Sequence, residues 1–400
     1  MNARPVAVTG IGTVSAAGLG APALFELLVA GRSAVRPVAE LDNIPAGAAP
    51  EPPADRRTHR LDRASRMFVA AAEEAWRDAA LPAEPDDGGR CAVIEGSSIG
   101  SMGDLLAEHQ AFLASSDHRR AHPTTLIRYM PGAGGAVVAH AHRIQGPVLH
   151  VAVGSASAMC AIGEAYLKVA SGMVDVAVAG GGECPLRPEI VEAFATAGVL
   201  ARGNGAPPMC RPFDPHRSGT VLGEGAGVLL LESEARARSR GARIHGFVTG
   251  YGLTCEWASM TAPDPDGAGV AASATQALGG EGVGGVGWVK THGTGTKLND
   301  IAECRGLAHL FGPALADVPL TSLKSTLGHC MGASGGLETC AVVLALESGF
   351  VPATVGTEEV DPELPPCRIA LRPEPSAARR VLALSASFGG KCAALVLERK

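Results

Sequence analysis

Two histidines stand in turns of small residues, each just past a short apolar run. They are His292 in Thr291-His292-Gly293-Thr294-Gly295-Thr296 and His329 in Leu323-Lys324-Ser325-Thr326-Leu327-Gly328-His329. Such turns keep the backbone rigid while presenting a side chain to a site, and an imidazole near pH 7 serves there as a neutral donor or as a base. Gly154-Ser155-Ala156-Ser157-Ala158 has the form of a strand-to-helix turn, which would set the Ser155 hydroxyl at a positive helix end. Ser387-Phe388-Gly389-Gly390 reads as a second tight turn. The backbone N–H groups of Ser155 and Phe388 can then form an oxyanion hole, a device in which one donor is worth about 3–4 kcal/mol. Lys324 precedes His329 and can pair with Glu338, keeping that histidine's surroundings polar; a purely structural buried ion pair is the plainer reading of the same two residues.

The elements that must position these groups are short β-branched runs punctuated by glycine and alternating with helical patterns. The runs are residues 6–12, 91–96, 148–153, 174–179, 228–231, 289–292, 318–323 and 381–385. That alternation predicts an α/β fold with mixed or parallel sheets. After residue 153, Met159, Ile162, Gly163 and Tyr166 recur at helical spacing until Gly172 stops the run, so a buried strand turns at Gly154-Ser155 into an amphipathic helix. A faint internal repeat accompanies the pattern. Residues 8–12 echo 248–252, Gly96-Ser97-Ser98 echoes Gly293-Thr294-Gly295, and the helix from Ser157 to Gly172 matches one from Ser334 to Gly349. Two related halves about a pseudo-twofold axis would explain three echoes in one order. Residues 37–60, rich in Pro, Ala and Asp, and 105–128, rich in His and Arg, read as loop and cap insertions.

Composition narrows the function. The 400 residues carry a net charge of −6 and are 46% hydrophobic but only 4% aromatic. No global positive field holds a phosphate backbone or an anionic bilayer, and few aromatics are present to stack on bases, which argues against nucleic acid and membrane as main partners. No apolar run approaches the ~18 residues needed to span a bilayer, and the N-terminal run lacks the pattern of a secretory segment, so a cytoplasmic protein is expected. Ten scattered cysteines without a C-x-x-C pair read as reduced thiols. Gly282-Val283-Gly284-Gly285-Val286-Gly287 satisfies G-x-G-x-x-G but precedes a strand, whereas a dinucleotide loop follows one. The basic stretch 56–66 reads as a solvated face or a docking site for an acidic partner, His118 and His122 as surface residues, and no spacing amounts to a metal site.

Taken together in their order, these segments resemble the β-ketoacyl-acyl-carrier-protein synthases of the thiolase superfamily over nearly the whole chain. Val6-Ala7-Val8-Thr9-Gly10-Ile11-Gly12 resembles the family's first strand. Arg211-Pro212-Phe213-Asp214 through Gly223-Glu224-Gly225-Ala226-Gly227 resembles its mid-chain signature, and the stretches from His292 to Asp300 and from Lys324 to Glu338 look like its two histidine motifs. The resemblance implies a five-layered α/β/α/β/α fold of two halves, residues 1–244 with the caps and 245–400, dimeric through strands near the nucleophile turn. It implies a nucleophile that takes an acyl group from an acyl carrier protein, and two histidines that bind and decarboxylate a malonyl thioester to a carbanion that attacks the acyl group. No cofactor of its own is implied, since the substrate rides on the carrier's phosphopantetheine arm. Thr294, Thr296, Ala386 and Phe213 fall on the substrate and phosphopantetheine side. A homodimer, or a heterodimer with a related synthase, is implied as well.

One departure is central, because Ser155 stands where an elongating synthase carries its cysteine. Cys160 is five residues further, one and a half turns into the helix, and is expected in the core. A thiol at a helix N-terminus ionises readily, whereas a serine hydroxyl needs a base. Gly154, Ala158 and Ala386 depart from the family pattern too. Three explanations stay open: a serine variant that performs acyl transfer, ester formation, slow condensation or only malonyl decarboxylation; a catalytically silent partner like the chain-length factors; or an engineered Cys-to-Ser trapping variant of an ordinary ketosynthase.

Overall fold

Small and aliphatic residues dominate the strands, as expected where helices cover both faces of a sheet. In the computed structural model, which describes residues 4–115, 125–203 and 209–400, ten strands carry this pattern. The first five are β1 (Val6–Ser15), β2 (Cys91–Gly96), β3 (Val148–Val151), β4 (Val176–Glu183) and β5 (Gly225–Ser233). The other five are β6 (Gly246–Cys255), β7 (Val286–Lys290), β8 (Pro319–Thr321), β9 (Arg380–Ser387) and β10 (Lys391–Glu398).

Their pairing repeats. The first set runs β3-β2-β4-β5-β1 and the second β8-β7-β9-β10-β6. In both, the first two pairings are parallel and the last two antiparallel. The three sequence echoes thus fall on topologically equivalent elements: β1 with β6, the loops after β2 and β7, and the helices α3 (Ser157–Ala170) and α6 (Ser334–Ser348). An antiparallel contact of Val6 with Val248 and of Val8 with Gly246 joins the two sets.

Helices α3 and α6 pack on each other between the sheets. Gly335 permits this, since a Cβ there would lie 2.7 Å from Met159 Cβ. The outer faces are covered by α1 (Arg63–Asp78) and α2 (Ala133–Ala141) on one side, and by α4 (Ala268–Leu278) and α5 (Lys297–Phe311) on the other. Three apolar cores fill the gaps between these five layers. The result is the five-layered thiolase fold.

Several local expectations are met and one is corrected. Residues 282–287 lead into β7 rather than opening a helix. The basic stretch enters α1, whose N-cap Asp62 accepts from Ser65 N–H at 3.0 Å, and Arg63 and Arg66 there pair with Glu224 and Glu51. Residues 37–60 form a small hairpin and irregular backbone. In the 105–128 insertion, however, a loop was expected and a helix, Met102–Ser115, occupies the first half. Most of its residues are apolar, but they are spread round the helix rather than gathered on one face, and only Gly103 is buried, so the amphipathic periodicity that reveals a helix is weak. His118 and His122 lie outside the described residues. Among the described residues no helix is long and apolar enough to cross a membrane.

Candidate active site

Most candidate side chains sit at or just past the end of a strand, with Glu338 reaching in from α6. The strand-to-helix turn after β3 carries Ser155, half-buried, with Gly154 at φ +61° immediately before it. Its hydroxyl lies 3.0 Å from His329 Nε2. The other ring nitrogen of His329, Nδ1, lies 2.9 Å from Ser334 Oγ at the first position of α6, so both nitrogens of this imidazole have hydroxyl partners. The backbone of His329 is fixed as firmly, because its N–H donates to Val221 O at 2.6 Å and its carbonyl accepts from Gly223 N–H at 3.0 Å. The mid-chain signature therefore works as a splint for the histidine loop.

His292 faces His329 edge-on, with ring centroids 5.5 Å apart and planes at 85°. Its turn is held from behind by Glu303 of α5, whose carboxylate accepts from His292 N–H at 2.5 Å and Gly293 N–H at 2.8 Å. Burial lifts the Glu303 carboxyl to about 7 despite these bonds. His292 Nδ1 is buried with no partner among the described residues. Both histidines are held well below the usual imidazole range, first by burial and then by the nearby Lys324 cation, so both are neutral near pH 7.

The expected ion pair is present and larger than expected. Lys324 Nζ donates to Glu338 Oε1 at 2.8 Å and to the His292 carbonyl at 2.5 Å. Lys290, at the end of β7, donates to the other oxygen of Glu338 and to Leu384 O at 2.5 Å. Two fully buried lysines thus share one carboxylate. Burial pushes the Glu338 carboxyl up, but the two cations outweigh it and hold it low; burial also lowers Lys290, with Glu338 opposing.

Ser155, His292, the pair Lys324 and His329, and Glu338 are accordingly brought together from four segments. Thr294 and Thr296 lie on the loop after His292, with their hydroxyls 2.8 Å apart. Ala386 lies near the end of β9, opposite Cys392 of β10, and is half-buried, while Phe388 lies on the turn between the two strands and is 52% exposed. Two expectations need correction. Phe213 was placed on the substrate side, yet its ring has no exposed surface and packs in the outer core, while its N–H donates to Asp300 Oδ2 at 2.9 Å; it supports the loop from beneath. The Ser155 N–H, expected as an open oxyanion donor, donates to Ser387 Oγ at 3.0 Å. Cys160 is buried in the central core and its thiol is pushed up to about 11 by burial, as its position in α3 suggested.

The sequence reading did not single out Lys290, Ser334, Glu303 or the Ser387 hydroxyl. A lysine closing the apolar run Val286–Lys290 was the one visible signal, since a charge at a buried strand end demands a partner. The others are ordinary serines and a helical glutamate: Ser387 meets a partner far along the chain, while Ser334 and Glu303 serve nearby loops whose path no local pattern reveals.

Comparison with known proteins shows the family to which this fold belongs. The family models for the N-terminal and C-terminal domains of beta-ketoacyl synthase match residues 3–237 and 245–358. The tetracenomycin polyketide synthase ketoacyl synthase alpha subunit of Streptomyces glaucescens is 33% identical over 420 residues, covering 99% of this chain and 97% of that protein. Among solved structures, the ishigamide ketosynthase/chain length factor superposes with a TM-score of 0.90 at 34% identity over 100% of both chains. A type II ketosynthase solved with its acyl carrier protein, AntDE:AntF, gives 0.90 at 25% identity, again over 100% of both. The chain belongs to the β-ketoacyl synthase family of the thiolase superfamily.

Proposed function

We propose that this chain is a β-ketoacyl-ACP synthase-like acyltransferase of a type II fatty acid or polyketide pathway, with Ser155 as the acyl acceptor. The observation that carries the reading is the 3.0 Å contact of Ser155 Oγ with His329 Nε2, backed by Ser334 on Nδ1. With Nδ1–H donated to Ser334, Nε2 holds its lone pair toward the serine. His329 then takes the hydroxyl proton as the Oγ–C bond forms on the thioester carbonyl; as the C–S bond breaks, the proton passes to the departing sulfur. A histidine kept neutral by burial is suited to this, because a protonated one has no lone pair to offer. An acyl ester on Ser155 is a weaker electrophile than a thioester, which favours acyl transfer over rapid condensation.

The substrate is a thioester on the phosphopantetheine arm of an acyl carrier protein, with Thr294 and Thr296 on the arm's side and no cofactor held by the chain itself. His292, with His329, binds the malonyl carbonyl and stabilises its enolate after decarboxylation, and Lys324 with Glu338 fixes the position of both imidazoles. A homodimer or a heterodimer with a related synthase is proposed, supported by the open edge of β3, where Val148 and Leu149 are 40% and 41% exposed. One observation favours a second reading, a silent chain-length-factor-like partner: the Ser155 N–H is already occupied by Ser387. Intact-mass measurement after incubation with acyl carrier proteins of several chain lengths, alongside a malonyl decarboxylation assay, separates the two. An adduct of acyl mass that is absent in Ser155→Ala is expected. His292→Ala and His329→Ala should each abolish decarboxylation while Ser155→Ala leaves it largely intact. Absence of both adduct and carbon dioxide would establish the silent partner instead.

A further inference from the structure

Residue 155 is saturated on every polar atom. Its hydroxyl meets His329, its carbonyl accepts from Ser385 Oγ at 3.3 Å, and its N–H donates to Ser387 Oγ at 3.0 Å. The last contact matters most. An oxyanion donor acts on an oxygen about 2.7–3.1 Å away, which is where the Ser387 oxygen sits. Gly154 makes that placement possible: a Cβ at residue 154 would lie 2.0 Å from Ser387 Oγ and 3.2 Å from its Cβ. Its φ of +61° is also one that side-chain-bearing residues rarely adopt. The hydroxyl at 387 therefore depends on the glycine at 154, 233 positions away in sequence.

We propose that Ser387 is an internal plug of the oxyanion position: its hydroxyl oxygen occupies the place of the acyl carbonyl oxygen, and an incoming thioester must rotate it away before Ser155 can be acylated. The inference deepens the acyl-transfer reading and rests on it for its kinetic consequence, but not for the contact itself. Ser387 is a positioning residue here and forms no bond to the acyl group. The plug raises the barrier for any acyl group that cannot replace the hydroxyl at the Ser155 N–H. It also explains how a residue set complete in its histidines and buried ion pair can be slow at the first step without losing any of them.

Three measurements test it together. Acylation of the full chain by an N-acetylcysteamine hexanoyl thioester, followed by intact mass, should be about 2- to 10-fold faster in Ser387→Gly than in the wild type, the worth of one neutral hydrogen bond. Amide hydrogen exchange at Ser155 should rise in the same variant. A Gly154→Ala substitution should lower the melting temperature less in the Ser387→Gly background than alone, since the collision with the hydroxyl is gone. Where the wild type is acylated, an unchanged or slower rate in Ser387→Gly overturns the plug, and unchanged exchange at Ser155 overturns it in every case. Should no variant be acylated while Ser155 exchange still rises in Ser387→Gly, the plug stands and the acyl-transfer reading fails.

Discussion

A thiol at a helix start is partly ionised near neutral pH, while a serine hydroxyl keeps its proton until a base removes it in the transition state. The serine at position 155 therefore shifts the chemical burden onto His329 and onto whatever sets that imidazole's orientation. Ser334 is the group that does so, at 2.9 Å from Nδ1. Replacing it with alanine should lower the rate of acyl-enzyme formation about 5-fold with little change in KM, and leave the melting temperature nearly unaltered; a KM effect alone would mean that Ser334 merely shapes the pocket. Ser155→Cys should do the opposite and accelerate acylation, because a thiolate no longer waits for the base, and it should weaken the dependence on Ser334. Equal sensitivity to Ser334→Ala in both backgrounds would rule out His329 as the base. The sequence alone made Ser155, His292, His329, Lys324 and Glu338 legible because each sits in a small-residue turn or motif with its own local pattern. It left Ser334 and Lys290 unnoticed, since Lys290 acquires meaning only from Glu338, brought in from another segment, and Ser334 only from the way the short loop after His329 folds back on it.

At the scale of elements, the site depends on how closely α3 and α6 approach, as Ser155 leads into one and Ser334 opens the other. Gly335 sets that distance: a Cβ there would stand 2.7 Å from Met159 Cβ and 2.8 Å from Met159 N. Gly335→Ala should cost about 1–3 kcal/mol in a urea melt, the usual penalty for overpacking a dense core. It should also lengthen the Ser155–His329 contact and slow acylation. Met159→Ala should not rescue it, since the collision is with a Cβ and a backbone nitrogen that alanine keeps; rescue would place the clash in the thioether end instead. The strands, the two central helices and their echo were legible because β-branched runs, glycine stops and helical spacing are local properties. The Met102–Ser115 helix was not, as its many apolar residues are spread round it and stay largely exposed instead of forming one core-facing stripe. Phe213 was misassigned for a related reason: a motif match gives a residue's order in the chain but not the side of the loop on which its ring packs.

At the scale of the whole molecule, the two halves are joined by a buried polar knot as well as by apolar cores. His245, just before β6, places Nδ1 2.8 Å from Glu347 Oε2 of α6 and Nε2 2.9 Å from Asp78 Oδ2 of α1. Asp78 in turn accepts from Ile11 N–H of β1 at 2.9 Å, so outer layer, first strand, central helix and the entry to the second half meet at one imidazole. Burial alone would lower the His245 pKa, but the bonds to the two carboxylates outweigh it and raise it to about 9 from the usual 6.5. Because the folded value lies above the unfolded one, the folded state holds the proton more tightly. The stabilisation is then complete below about pH 6.5 and is lost as pH rises through about 9. His245→Gln should accordingly lower the melting temperature by about 2–4 °C at pH 6, in keeping with the loss of charge-assisted hydrogen bonds in a large chain. Toward pH 10 the two proteins should converge, since the wild-type imidazole is by then neutral and its pairing with the carboxylates has lapsed. Melting curves of both proteins across pH 6 to 10 decide the matter: a constant gap would show that His245 contributes packing alone, and a gap that widens with pH would reverse the assigned charge.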